Sequence, residues 1–146
     1  MIEQALVLVA LLAVSSLGYW LSQRRNGRFH GPAEERGSSP RLTVADLGRE
    51  VDRPATFVLV TSQVCSTCPQ VRRVLRSVVA ESAEVDLVEV AAEEHMDLVR
   101  RLDILRTPTV LLLDGSGTIR SRTSGPMRPD QARAALAALL PTLTRS

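Results

Sequence analysis

Thr56-Phe57-Val58-Leu59-Val60 is the segment that most restricts how this chain folds. Its residues favour extended structure, and no charge or turn former interrupts them. A half-buried strand alternates apolar and polar residues. A run without alternation reads as a central strand, covered on both faces. Such a strand calls for α/β architecture, with a sheet around it and helices packed on that sheet.

The rest of the chain fits that demand. After the loop Thr61-Ser62-Gln63-Val64, residues 66–82 carry Val71, Val74, Leu75, Val78 and Val79 at three- and four-residue spacing, which predicts a helix. Arg72, Arg73 and Arg76 fall on its other side, as a solvated face. Residues 85–90 predict a strand, and 93–102 a helix with Met96, Val99 and Leu102 inward. Residues 109–113 predict a second buried strand, 114–117 a hairpin turn, 118–122 the returning strand and 130–140 a last amphipathic helix. Leu42, Val44 and Leu47 with Gly48 predict a short strand or turn on the domain edge. The order β–α–β–α–β–β–α is a parallel unit followed by an antiparallel hairpin, with a helix closing one face.

The chain holds two cysteines, three positions apart, in Cys65-Ser66-Thr67-Cys68. Two cysteines make no disulfide framework, but they make one redox pair. Cys65 follows the loop after the buried strand and stands where a helix begins. The unpaired N–H groups and the dipole of that helix end favour a thiolate, the species that attacks disulfides. Ser66 is placed to add a hydrogen bond. Cys68, one turn on, is close enough to resolve a mixed disulfide formed at Cys65. Pro69 suits the first helical turn, where its missing N–H leaves no bond unmade. The rival for such a pair is zinc, but a closed zinc site needs four ligands. His30 and His95 are the other strong candidates, and neither has ligand-like spacing. No metal or cofactor is expected. Ahead of the second buried strand stands Arg106-Thr107-Pro108-Thr109, where Pro108 fits either a cis bond in a tight turn or an ordinary turn at strand entry.

Residues 2–21 are apolar apart from Glu3 and a few small polar groups, and at about 1.5 Å per residue they reach about 30 Å. Tyr19 and Trp20 close the run, followed by Arg24, Arg25 and Arg28. The expectation is a transmembrane anchor over 1–23, a Gly-, Ser-, Pro- and charge-rich flexible linker over 24–40, and a globular domain over 41–146. A signal peptide fits less well, because no basic stretch precedes the run; a buried core helix would need a polar face. The expected location is the cell membrane, single-pass, with the flanking arginines favouring a cytoplasmic domain. All 18 basic residues are arginines, and 16 acids nearly balance them. The domain therefore lacks the basic excess that nucleic-acid binding requires.

Together these segments resemble the thioredoxin-like superfamily over roughly residues 42–140. The resemblance rests on VTSQVCSTCP, on TPT before the last two strands, and on LLLDGSGTIRSRTSG with the closing helix. It implies a thioredoxin-like fold, a central mixed β-sheet flanked by helices, here preceded by one transmembrane helix. It implies a thiol–disulfide oxidoreductase acting on protein thiols and disulfides, with Cys65 as nucleophile and Cys68 as resolving cysteine. Thr107 and Pro108 would bind the partner's backbone, with Val64, Ser66 and Thr67 completing the surface around the pair. The N-terminal run makes the chain similar to membrane-tethered members such as the TlpA-like and MauD-like proteins. Three positions depart from the thioredoxin pattern. Val64 stands where a tryptophan precedes the first cysteine, Leu59 where a buried aspartate assists proton transfer, and Ser66-Thr67 where the dipeptide is Gly-Pro. The alternative is a binding, assembly, or sulfur- or metal-carrier module for a membrane partner.

Overall fold

The computed structural model describes residues 2–25 and 40–143. The N-terminal segment is helix α1 (Ile2–Arg25). Then come α2 (Val44–Leu47), β1 (Ala55–Thr61), α3 (Cys68–Val79), β2 (Val85–Ala91), α4 (Met96–Arg101), β3 (Thr109–Asp114), β4 (Ile119–Ser124) and α5 (Pro129–Leu143). The four strands form one sheet in the order β2-β1-β3-β4. β1 runs parallel to β2 and antiparallel to β3, and β4 returns antiparallel along β3.

β1 is central, and every residue from Ala55 to Val60 is buried. Alternation along it feeds two separate cores. Phe57 and Leu59 pack with Val71, Leu75 and Val78 of α3 and with Leu136 of α5. Val58 and Val60 pack on the other face with Leu98 and Leu102 around α4, and with Leu42 and Leu47. An unbroken apolar run is thus what a two-sided core demands, and each fully buried aliphatic side chain contributes about 1.5–3 kcal/mol.

Several expectations shift in detail. α3 begins at Cys68 rather than at 66. α4 is shorter than 93–102, and Met96 is exposed while Leu98 takes the inward place. The segment around Val44 is one helical turn, with Val44 exposed and Leu42 and Leu47 buried. A bond from the Thr43 N–H to Asp46 holds that turn, and Arg101 reaches the same carboxylate.

The expected membrane anchor, and the single-pass location built on it, is corrected. Among the described residues no helix is long and apolar enough to cross a membrane. In α1 the uninterrupted apolar run is Ala5 to Val14, bounded by Gln4 and Ser15. Ten helical residues reach about 15 Å, half of a bilayer core. The helix also takes in Arg24 and Arg25, the expected start of the linker. The remainder of the linker, 26–39, lies outside the described residues.

Candidate active site

The C-terminal end of β1, the N-terminal end of α3 and the entry to β3 meet at the cysteine pair. The chain leaves β1 at Thr61 and turns through Ser62 to Cys65, where the Cys65 N–H donates to the Ser62 carbonyl at 3.2 Å. Cys65 and Cys68 form a disulfide, with Cα atoms 5.5 Å apart. The two sulfurs differ in setting. Cys65 lies in the turn before α3 and is half-buried, whereas Cys68 is the first helical residue and is buried. The first turn of α3 supplies unpaired N–H groups beside the pair, which favours negative charge on sulfur after reduction.

Thr67 holds the N-cap position, yet its hydroxyl makes no capping bond. It lies 3.9 Å from Cys65 Sγ instead. A disulfide sulfur has no proton to give, so the hydroxyl is the donor. Sequence reasoning expected this contact from Ser66. Ser66 is exposed and makes no hydrogen bond among the described residues.

The Thr107-Pro108 bond is cis. Three contacts fix the segment. The Ser62 and Thr107 hydroxyls lie 2.9 Å apart, joining the loop before Cys65 to the residue before Pro108. The Gly125 N–H donates to the Pro108 carbonyl at 2.8 Å. Thr109, fully buried, donates its hydroxyl to the Arg106 carbonyl at 2.7 Å; the Ser124 hydroxyl, 2.9 Å away, then donates to Thr109. Gly125 has φ +90, which a residue with a side chain adopts only under strain.

The structure thus brings Cys65, Cys68, Thr67 and Thr107 into one region, where Pro108, next to Thr107, is buried, and Val64 and Ser66, on either side of Cys65, are exposed. Two participants were invisible in the sequence. Ser62 reads there as an ordinary loop residue. Glu93 reads as a helix-start acid, but its carboxylate accepts the Gln63 N–H at 2.9 Å, and this bond holds its pKa below the usual range. Both contacts span 30 residues or more. Leu59, at the place of the thioredoxin aspartate, is fully buried in the α3-side core. Arg72 and Arg76 do not form a free basic face: both reach Glu89. Among the described residues no group of three or more metal-ligating side chains forms.

No protein-family model matches the chain, and no curated protein matches it by sequence. Solved structures do. Mitochondrial thioredoxin 3 from Saccharomyces cerevisiae, in its oxidised form, matches at TM-score 0.53 and 16% identity, over 61% of this chain and 83% of that one. An uncharacterised thioredoxin-like protein from Clostridium perfringens matches at TM-score 0.53 and 23% identity, over 60% and 72%. The fold is thioredoxin-like. Thioredoxin-2 of the malaria parasite, described as a component of its protein secretion machinery, matches at TM-score 0.53 and 15% identity, over 57% and 82%. Identities this low carry the fold and leave the activity to the site itself. That site is a Cys-x-x-Cys pair at disulfide distance, an arrangement suited to thiol–disulfide redox chemistry.

Proposed function

We propose that the domain over 41–146 is a thiol–disulfide oxidoreductase that exchanges disulfides with a protein partner. The observation that carries this reading is the half-exposed Cys65, disulfide-bonded to a buried Cys68 at the start of α3 and tied through Ser62 to Thr107. In the reducing direction the Cys65 thiolate attacks one sulfur of the partner disulfide. That S–S bond breaks, a mixed disulfide forms, and the first partner thiolate leaves and takes a proton from water. Cys68 gives its proton to solvent, attacks Cys65 Sγ and expels the second partner thiolate. The second thiolate also takes a proton from water, so the partner gains two electrons and two protons; the pair, counted from its dithiol form, loses two electrons to the partner and two protons to solvent. Oxidation of a partner dithiol is the same sequence reversed. Thr107 and Pro108 bind the partner backbone, and Val64, Ser66 and Thr67 form the remaining contact surface. Leu59 cannot accept the Cys68 proton, so solvent takes it. Leu59, Val64 and the Ser-Thr dipeptide depart from the thioredoxin pattern and favour a dedicated exchanger over a general thioredoxin.

The Cys68→Ser variant should accumulate a mixed disulfide through Cys65 that dithiothreitol releases, and Cys65→Ser should abolish both the adduct and insulin reduction. Insulin reduction that survives Cys65→Ser, with no adduct in Cys68→Ser, sinks the proposal.

A further inference from the structure

We infer that the rim of the cysteine pair docks a polypeptide segment with apolar side chains beside its cysteine and an acidic side chain on the Arg106 flank. The inference rests on the exchange reading above and names the substrate that reading leaves open.

Among the described side chains, Val64 and Leu105 are the most exposed large apolar ones, at 93% and 85%. A single exposed apolar residue needs no explanation. These two, however, stand on separate loops, and a direct bond holds those loops together. Ser62, two residues before Val64, meets Thr107, two residues after Leu105. The two side chains therefore stand on loops that are joined beside one disulfide. Neither turns into the core, although Ile104 and Cys68 nearby are both buried. A partner cysteine that reaches Cys65 must bring its neighbouring side chains over this rim.

Charge gives the rim a direction. Arg72 and Arg76 engage Glu89, Arg120 engages Asp114, and Arg133 engages Glu81. Arg106, exposed and next to Thr107, has neither a carboxylate nor a carbonyl partner for its guanidinium among the described residues. On the other flank the Glu93 carboxylate sits against Gln63. A partner's acidic side chain is drawn to the first flank and repelled from the second. In water a single exposed ion pair shifts an equilibrium by up to about fivefold, so the preference is graded rather than absolute.

The test uses the reduced full chain and three extended peptides, each with a Leu-flanked cysteine activated as its neutral 2-thiopyridyl disulfide. The peptides differ only in carrying Glu, Gln or Lys two positions from the cysteine, placed on each side in turn. Bis(2-hydroxyethyl) disulfide, which has no side chains, runs in parallel. For one of the two placements the second-order rate constant for oxidation of the reduced chain should fall in the order Glu, Gln, Lys, about three- to fivefold per step at low salt. High salt should flatten the series, and Arg106→Gln should bring the Glu-to-Lys ratio close to one. Equal rates for the three peptides while the small disulfide is still consumed would overturn the docking inference and leave the exchange reading standing. A gradient that persists in Arg106→Gln would overturn it as well. If neither the peptides nor the small disulfide is consumed, both fall.

Discussion

At one end of β3 Asp114 is 3% exposed and its carboxylate accepts four bonds: from the N–H and hydroxyl of Ser116, the N–H of Thr118 and Nε of Arg120. At the other end, where Thr107 and Pro108 lead in, neutral bonds between hydroxyls, carbonyls and amides do the holding. The hairpin end commits its charges to its own turn. Apart from the Glu93 carboxylate on the Gln63 N–H, the cysteine end is fixed by short neutral contacts, and it leaves Val64, Leu105 and Arg106 facing solvent. Charge-assisted bonds contribute about 1.5–3 kcal/mol and neutral ones about 0.5–1.5 kcal/mol. The two ends should therefore differ in what their loss costs, and in whether it touches stability or exchange.

The largest effect is expected at the hairpin. Asp114→Ala strands buried donors and leaves Arg120 without its carboxylate, so unfolding in urea should show a loss of about 3 kcal/mol. Exchange per folded molecule should not change. The pH dependence follows from the same contacts. Burial pushes the Asp114 pKa up, but bonds from the Ser116 hydroxyl, Arg120 and the two N–H groups outweigh it, and the pKa ends below its ordinary value. The folded pKa is then lower than the unfolded one. The stability from this carboxylate is complete above the unfolded value, about 3.9, and is lost as pH falls through the folded pKa. The stability gap between the native chain and Asp114→Asn should be constant from pH about 7 to about 5 and shrink below about 4. A gap that widens on acidification contradicts the assignment.

Gly117, in the same turn, should be nearly as sensitive. Its φ is +81, and a Cβ there would lie 2.5 Å from the Leu42 carbonyl oxygen. The Leu42 N–H also donates to Gly117, so the edge segment cannot move aside without losing that bond. Gly117→Ala should cost about 2–3 kcal/mol in thermal or urea unfolding.

The cysteine end should respond in the opposite way. Ser62→Ala and Thr107→Val each remove one half of a single neutral bond, so each should cost about 1 kcal/mol of stability. Their larger effect should be on exchange with a protein disulfide, a decrease of about fivefold. The double variant should be little worse than either single one, because the two hydroxyls act through the same contact. Additive losses would show that they act separately.

How much of this was legible in the sequence follows the range of the interactions. The two-sided β1 strand, the α3 face, the hairpin and the cysteine pair are local patterns, and each appears within a few residues of its expected place. Apolar periodicity records which side of an element is covered, so Phe57, Leu75 and Leu111 could be assigned to the core. The Ser62–Thr107 and Glu93–Gln63 contacts are long-range, and no periodicity marks a hydroxyl or carboxylate that will meet a distant loop. Met96 and Leu98 exchanged roles because a six-residue helix is too short for spacing to fix its register. The N-terminal run misled for a different reason. Its overall apolar character suggested a span, but the uninterrupted part is only ten residues long.

Thr67→Val is expected to give the smallest effect, and it tests the cysteine end most directly. The substitution keeps the shape and removes only the hydroxyl that lies 3.9 Å from Cys65 Sγ. That hydroxyl caps nothing, so unfolding should move by less than about 0.5 kcal/mol. In the reduced chain the same hydroxyl can donate to the Cys65 thiolate, the form that attacks. Its loss should slow iodoacetamide labelling of Cys65 about two- to fourfold near neutral pH, as for one weak neutral bond. At alkaline pH, where the thiolate forms without help, the two proteins should label at nearly the same rate. Ser66→Ala should leave both limbs in place, because Ser66 points no hydrogen bond at either sulfur. A slowdown of equal size at every pH would mean that Thr67 acts by shaping the turn, and the contrast between a charged, self-contained hairpin and a neutral, reactive opposite end would lose its chemical half.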